Sequence, residues 1–244
     1  MARLPSILST VAGTPVKWVP AHENNRFDTD NGLEKEGVVL HIAEGTLAGC
    51  DSWFSNPIAI ASANFCVGKY GEIHQYVELY GAAPFANGVA LSETRKVNLM
   101  AQVVKELSQK HNWVSQNLWT WSIEHEGKSG DILTPAQFDA STKLTALLLG
   151  SLPPEKRRTF GHYQFDNVTR SRCPGWSTAQ WTAYDERVTS LIAEAENPPP
   201  PPGPQSDLAQ TIKPIVDAIY DHTHAAAVAT EELFRLLRDN GVKV

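Results

Sequence analysis

The 244-residue sequence predicts an α/β fold, followed by a proline-rich linker and a C-terminal helix. Three observations carry that prediction. A short apolar run, residues 37–41 (Gly-Val-Val-Leu-His), lies between charged Glu34, Lys35 and Glu36 and the pair Glu44-Gly45, as a strand buried on both faces would. Helix-period segments alternate with short β-rich runs, the pattern of a sheet flanked by helices. Five consecutive prolines at 198–202, then Gly203-Pro204, must run as extended polyproline II and cut the C-terminal segment off from everything before it.

Composition narrows the function classes. Hydrophobic residues at 42%, charged residues at 20% and seven tryptophans describe a globular chain, and a formal charge of −6 excludes a nucleic-acid binder that relies on basic surface. No apolar run approaches a membrane span, so no membrane insertion is expected. The first ten residues lack an apolar stretch with a small-residue cleavage site, which predicts synthesis in the cytoplasm without a signal peptide. Cys50, Cys66 and Cys173 cannot pair completely, so at least one thiol is free.

Taken in order, residues 1–34 carry Pro15, Pro20 and a polar cluster at 23–26 and are expected to be irregular. Residues 37–41 are the first strand, and His41 stands where strand meets loop. In an open α/β sheet ligands bind at strand ends, although a histidine satisfied inside the core is the plainer reading of this stretch alone. A short helix over Leu47–Ser55, anchored by Trp53 and Phe54, stops before Pro57. Two β-rich runs within residues 63–78 surround Gly68-Lys69-Tyr70-Gly71 and predict a hairpin.

Val97, Met100, Ala101, Val104 and Leu107 recur at helical spacing within a helix expected over 92–111. Residues 121–127 read as a strand with Glu124 and Glu126 on one face. Thr134, Pro135 and Gln137 supply an N-cap, a first-turn proline and a capping-box glutamine for a helix to about Leu149, and Ser177 with Gln180 repeats the device for a helix ending near Glu196. Between these helices residues 158–162 form a short strand that again ends on a histidine, His162. The chain therefore divides into a domain at 1–196, a linker at 197–205 and a helical segment at 206–244.

Zinc takes side chains that are nitrogenous or soft, deprotonated and convergent. Two strand-end histidines, His41 and His162, with Cys173 meet that requirement and leave a fourth position for water, the catalytic arrangement. No HExxH or CxxC spacing ties the three together, so spacing alone leaves a chance arrangement open.

Motif order goes further. Val39-Leu40-His41, then Ser62-Ala63-Asn64-Phe65-Cys66-Val67 with Gly71-Glu72-Ile73, then Ser122-Ile123-Glu124-His125-Glu126-Gly127, and finally Gly161-His162 leading to Cys173-Pro174-Gly175, resemble the zinc-dependent N-acetylmuramoyl-L-alanine amidases. That family includes phage endolysins and peptidoglycan recognition proteins, and the resemblance spans roughly residues 35 to 190. It implies a central mixed β-sheet flanked by helices, Zn2+ as cofactor, bacterial peptidoglycan as substrate, and hydrolysis of the amide between N-acetylmuramic acid and the L-alanine of the stem peptide. His41, His162 and Cys173 fall on the three ligand positions and Glu124 on the catalytic base, with Glu126 the alternative base. Asn64, Arg170, Ser171 and Arg172 are the candidate substrate-binding residues. Three positions depart from the family's pattern: Ile42 replaces a second histidine, Ala63 replaces a tyrosine, and Ser171 stands where some members carry an oxyanion-stabilising lysine.

The resemblance implies an endolysin that reaches the wall through a holin-type pore. A non-catalytic peptidoglycan-binding module and a cytoplasmic muropeptide-recycling amidase are the alternatives, and the presence of Cys173 favours an enzyme over the binding module. In the C-terminal segment Leu208, Ile212, Ile215, Ile219, His222, Ala226, Ala229, Leu233 and Leu236 follow steps of four and three, the period of a coiled-coil seam. A homo-oligomer through this helix is the expectation; the alternative is an amphipathic helix packed on its own domain.

Overall fold

A computed structural model describes residues 3–87 and 100–198, together with the single helical positions Lys213 and Arg235. The chain divides into two compact units, residues 1–196 and 197–244. The coiled-coil seam, most of the linker and the first part of the helix expected over 92–111 lie outside the described residues.

In chain order the first unit contains β1 (Thr10–Val11), β2 (Thr14–Trp18), β3 (Arg26–Phe27), β4 (Val38–Leu40), α1 (Leu47–Ser55), β5 (Phe65–Val67), β6 (Ile73–Gln75) and β7 (Ala83–Pro84). It continues with α2 (Gln102–Lys110), α3 (Gln116–Trp119), β8 (Trp121–His125), α4 (Pro135–Gly150), β9 (Thr159–Gly161) and α5 (Thr178–Glu196). Seven strands form one mixed sheet in the order β1-β2-β6-β5-β8-β4-β9, and β3 pairs with β7 apart from it. The run β5-β8-β4-β9 is parallel throughout, so the C-terminal ends of these strands share one edge. This is the α/β architecture with a central mixed sheet that the sequence implied.

Side-chain alternation splits the sheet into two dry faces. Val38, Leu40, Phe65, Val67, Trp121 and Ile123 face one way and pack with Ala140, Leu144 and Leu148 of α4 and with Tyr184 and Val188 of α5. Val39 and Phe160 face the other way, against Val104 and Leu107 of α2. Cys66 shares a third apolar cluster with Cys50 and Phe54 of α1. Helices cover both faces, which is why β4 and β5 are apolar along their whole length.

The hairpin, the helix Leu47–Ser55 and the two capped helices stand where the sequence put them. Thr134 Oγ1 accepts from Gln137 N at 3.1 Å, but the Gln137 side chain does not complete the box. Its amide donates instead to Val67 O and Glu126 O, tying α4 to the sheet. At α5 the box closes both ways, Gln180 N to Ser177 Oγ and Ser177 N to Gln180 Oε1.

Two expectations need correction. Residues 1–34 are not wholly irregular, because β2 runs parallel to β6 with Val16 opposite Ile73, and β1 closes the sheet edge. Pro15 masked this strand; the ladder avoids its missing N–H by using Val16 N, which donates to Ser9 O at 2.9 Å. The helix expected to pass through Met100 and Ala101 begins only at Gln102, since Ala101 is an extended N-cap residue whose N–H donates to Gln164 O at 2.7 Å.

Candidate metal centre

Strand register builds the site. Leu40 lies opposite both Ile123 and Gly161, so the next residue on each strand, His41, Glu124 and His162, falls in one row at the shared edge. All three continue the face that carries Val39, Ser122 and Phe160. Gly37 lets β4 come this close to β9. Its φ is +143°, and a Cβ there would lie 2.4 Å from Arg158 O.

Cys173 arrives from the loop after β9. Its N–H donates to Arg170 O, its carbonyl accepts from Tyr163 N, and its sulfur accepts from Ile42 N at 3.5 Å. One ligand atom from each of His41, His162 and Cys173 lies within 4.8 Å of the other two. The imidazoles meet edge to face with centroids 4.4 Å apart. His41 Nδ1 stands 3.9 Å from Cys173 Sγ and 3.8 Å from Glu124 Oε1, while His41 Nε2 meets Asn87 Oδ1 at 2.7 Å.

These donors fit zinc. Two imidazoles and a sulfur suit its ligand preference, and ligand atoms around a tetrahedral ion lie about 3.3–3.8 Å apart, somewhat inside the separation seen here. His162 Nε2 and Glu124 Oε2 are buried with no hydrogen-bond partner, a cost that an ion or its water would remove. Burial also keeps the imidazoles neutral, as ligation requires. It holds His41 well below the usual histidine range, with the neighbouring His162 adding to the effect, and it brings His162 down to about 3. The Cys173 thiol is pushed up to about 12, by burial first and then by Glu124. Burial raises the Glu124 carboxyl to about 8 while Arg170 pulls it down.

The cluster forms the floor of a cleft of about 770 Å³. Trp53, Phe54 and Phe85 line one part of it, and Arg170, Ser171 and Arg172, all exposed, line another. Of the two arginines, Arg170 is the one whose charge acts on Glu124, His41, His162 and Cys173.

Asn64 was expected to touch substrate and instead is buried. Its Oδ1 accepts from Ser122 N at 3.0 Å and its Nδ2 donates to Val77 O and Glu78 O, so it ties the hairpin to β8. Glu126, the alternative base, is turned elsewhere: the strand ends at His125, and Glu126 Oε2 accepts from Lys69 N in the hairpin turn, so of these two Glu124 is the one on the cleft, which Glu44 also lines. His125 is buried beneath the site, with Nδ1 against His41 O at 2.7 Å and Nε2 against Ser141 Oγ at 2.6 Å. Sequence reasoning missed Asn87, because nothing in its local pattern marks a residue whose contact lies 46 positions away.

At the ends of its parallel strands a mixed sheet thus gathers two histidines and a part-buried glutamate, and the loop after β9 adds a cysteine, a donor set suited to a metal ion. The family model described as N-acetylmuramoyl-L-alanine amidase matches residues 31–176, more than half of the chain, and the chain belongs to that family. N-acetylmuramoyl-L-alanine amidase A of Achromobacter lyticus is 29% identical over 131 residues, 52% of this chain and 58% of that protein, so the chain spans little more than half of that relative. Among solved structures, that of a selenomethionine derivative of AmpD matches with a TM-score of 0.51 at 19% identity, over 75% of this chain and 99% of that one; this likeness is one of fold. A mutant endolysin from Bacillus subtilis matches at 13% identity with a TM-score of 0.47, over 73% of this chain and 99% of that one.

Proposed function

We propose that the chain is a peptidoglycan hydrolase that cleaves the amide between N-acetylmuramic acid and the L-alanine of the stem peptide, with a zinc ion held by His41, His162 and Cys173. The observation that carries this reading is the convergence of those three side chains beside a buried, unpartnered Glu124 carboxylate oxygen. Zinc, when bound, supplies Lewis-acid polarisation and a water acidic enough to ionise near neutral pH. The chain's own residues do the rest. Glu124 accepts a proton at its carboxylate and returns it to the departing amine. Arg170 sets a positive charge beside the cleft, suited to the stem-peptide carboxylate or to negative charge developing on the scissile carbonyl oxygen. Trp53 and Phe85 offer apolar surface to the glycan and lactyl part of the substrate.

Within this activity we read the protein as an endolysin acting on the polymeric wall. Digestion of purified sacculi and of a soluble muropeptide, followed by product mass spectrometry, tests both levels. Free stem peptides beginning with L-alanine are expected, released faster from sacculi. Cleavage of the soluble muropeptide alone would assign a recycling amidase, and no cleavage of either would leave a binding module. The purified protein is expected to carry about one zinc per chain and to lose activity on chelation. Cys173→Ser should lose most of its zinc, and a fully active Cys173→Ser enzyme would overturn the ligand assignment.

A further inference from the structure

We propose that Asn87 is a positioning residue for the metal centre, holding His41 in the tautomer that carries its proton on Nε2 and so presenting Nδ1 to the ion; this role rests on the metal-amidase reading above. A neutral imidazole has one N–H and one lone pair, and only the lone pair binds a metal. Which nitrogen keeps the proton is set by what the ring meets on its far side.

A run of hydrogen bonds of fixed polarity decides it. The carbonyl of Gln116 can only accept, and Thr120 Oγ1 donates to it at 2.7 Å. With its one proton committed, Thr120 Oγ1 accepts from Asn87 Nδ2 at 2.8 Å. The amide nitrogen of Asn87 therefore faces Thr120, and its oxygen faces His41 Nε2 at 2.7 Å. A lone pair on Nε2 would oppose the lone pairs of Oδ1 in a dry site, so Nε2 bears the proton and donates it. Nδ1 is left with its lone pair, on the side where Cys173 Sγ and Glu124 Oε1 stand.

Burial makes this arrangement rigid. Asn87 and Thr120 are fully buried and His41 is 1% exposed, so the bonds among these groups are shielded from bulk solvent. Asn117 Oδ1 accepts from the backbone N–H groups of both Ala86 and Asn87, which fixes the chain that carries the amide. The backbone N–H of His41 is likewise anchored, donating to Ile123 O.

The test uses the full chain with two readouts. In protein stripped of metal, long-range proton–nitrogen NMR of the His41 ring is expected to show Nε2 protonated and Nδ1 bare; an Nδ1–H ring in that protein would overturn the proposal. Zinc affinity is then measured against a competing chelator for Asn87→Leu and Asn87→Asp. Asn87→Leu should bind zinc roughly 10- to 100-fold more weakly, the usual cost of losing such a support. Asn87→Asp restores an acceptor to His41 and should recover most of the affinity, which a residue that merely fills space would not. A folded Asn87→Leu protein with wild-type zinc affinity would overturn the proposal. Should Asn87→Leu not fold, the ring tautomer of the wild-type protein still decides. A wild-type protein that binds no zinc yet shows Nε2–H would sink the metal reading while supporting control of the tautomer by Asn87.

Discussion

At the scale of single residues, charge and burial separate the groups that do chemistry from those that hold the fold. Glu124 and its alternative Glu126 share a strand face in the sequence, but Glu126 is held by the hairpin turn and Glu124 is left part-buried with its Oε2 unpartnered. Glu124→Gln should therefore keep zinc and fold while losing roughly 10²- to 10⁴-fold in turnover, and Glu126→Gln should lose far less; the reverse ranking in a release assay would move the base. Lys35 makes a different prediction. Its ammonium is buried, with Nζ donating to Leu118 O at 2.8 Å, and burial lowers its pKa to about 8, opposed by Asp30. Between pH 8 and 10.5 the unfolded chain holds this proton and the folded chain has released it, so stability rises with pH across that window. Relative to Lys35→Met, the wild-type unfolding free energy should climb by on the order of 3 kcal/mol from pH 8 to 10.5, as read by urea titration at each pH. Parallel curves for the two proteins would show that Lys35 titrates normally.

At the scale of elements, the site depends on how closely β4 approaches β9. Val38 N donates to Arg158 O at 2.9 Å just where Gly37 passes with φ +143°, and any Cβ at 37 would press on that same oxygen. Gly37→Ala should cost about 1–3 kcal/mol from backbone strain and overlap, and by parting His41 from His162 it should weaken zinc binding as well. A variant with wild-type denaturation midpoint and zinc affinity would show that the strands yield without cost. Helix ends were legible because caps are local chemistry: Thr134 and Ser177 stand as N-caps where the sequence placed them. Strands were less legible. Pro15 read as a breaker, yet β2 forms because its neighbour Val16 carries the ladder bond.

At the scale of the whole molecule, the described sheet, its two helical faces and the candidate centre all fall within residues 1–196. A chain ending at Glu196 should thus fold and retain hydrolysis of small substrates. The C-terminal stripe, of period 3.5 and outside the described residues, is proposed to assemble the full chain into an oligomer that engages the wall at several points, adding avidity. Light scattering on the two lengths checks this: an oligomer that becomes a monomer on truncation is expected, and two monomers would return the stripe to intramolecular packing.

The sequence by itself determined the α/β class, the hairpin and the capped helices, and through its motif order, which resembles the amidase family, it singled out His41, His162, Cys173 and Glu124 as candidates. Those features are written in local periodicity, in turn and cap chemistry, and in residue order. Tertiary structure alone decided which of the chemically similar groups face the cleft. Asn64 and Glu126 turned to structural bonds, Arg170 rather than Arg172 came to act on the ligand cluster, and Asn87 reached His41 from 46 residues away. The reason is physical: a side chain's protonation and partners follow from burial and from contacts across strands, and parallel pairing brings together residues that no window of sequence contains.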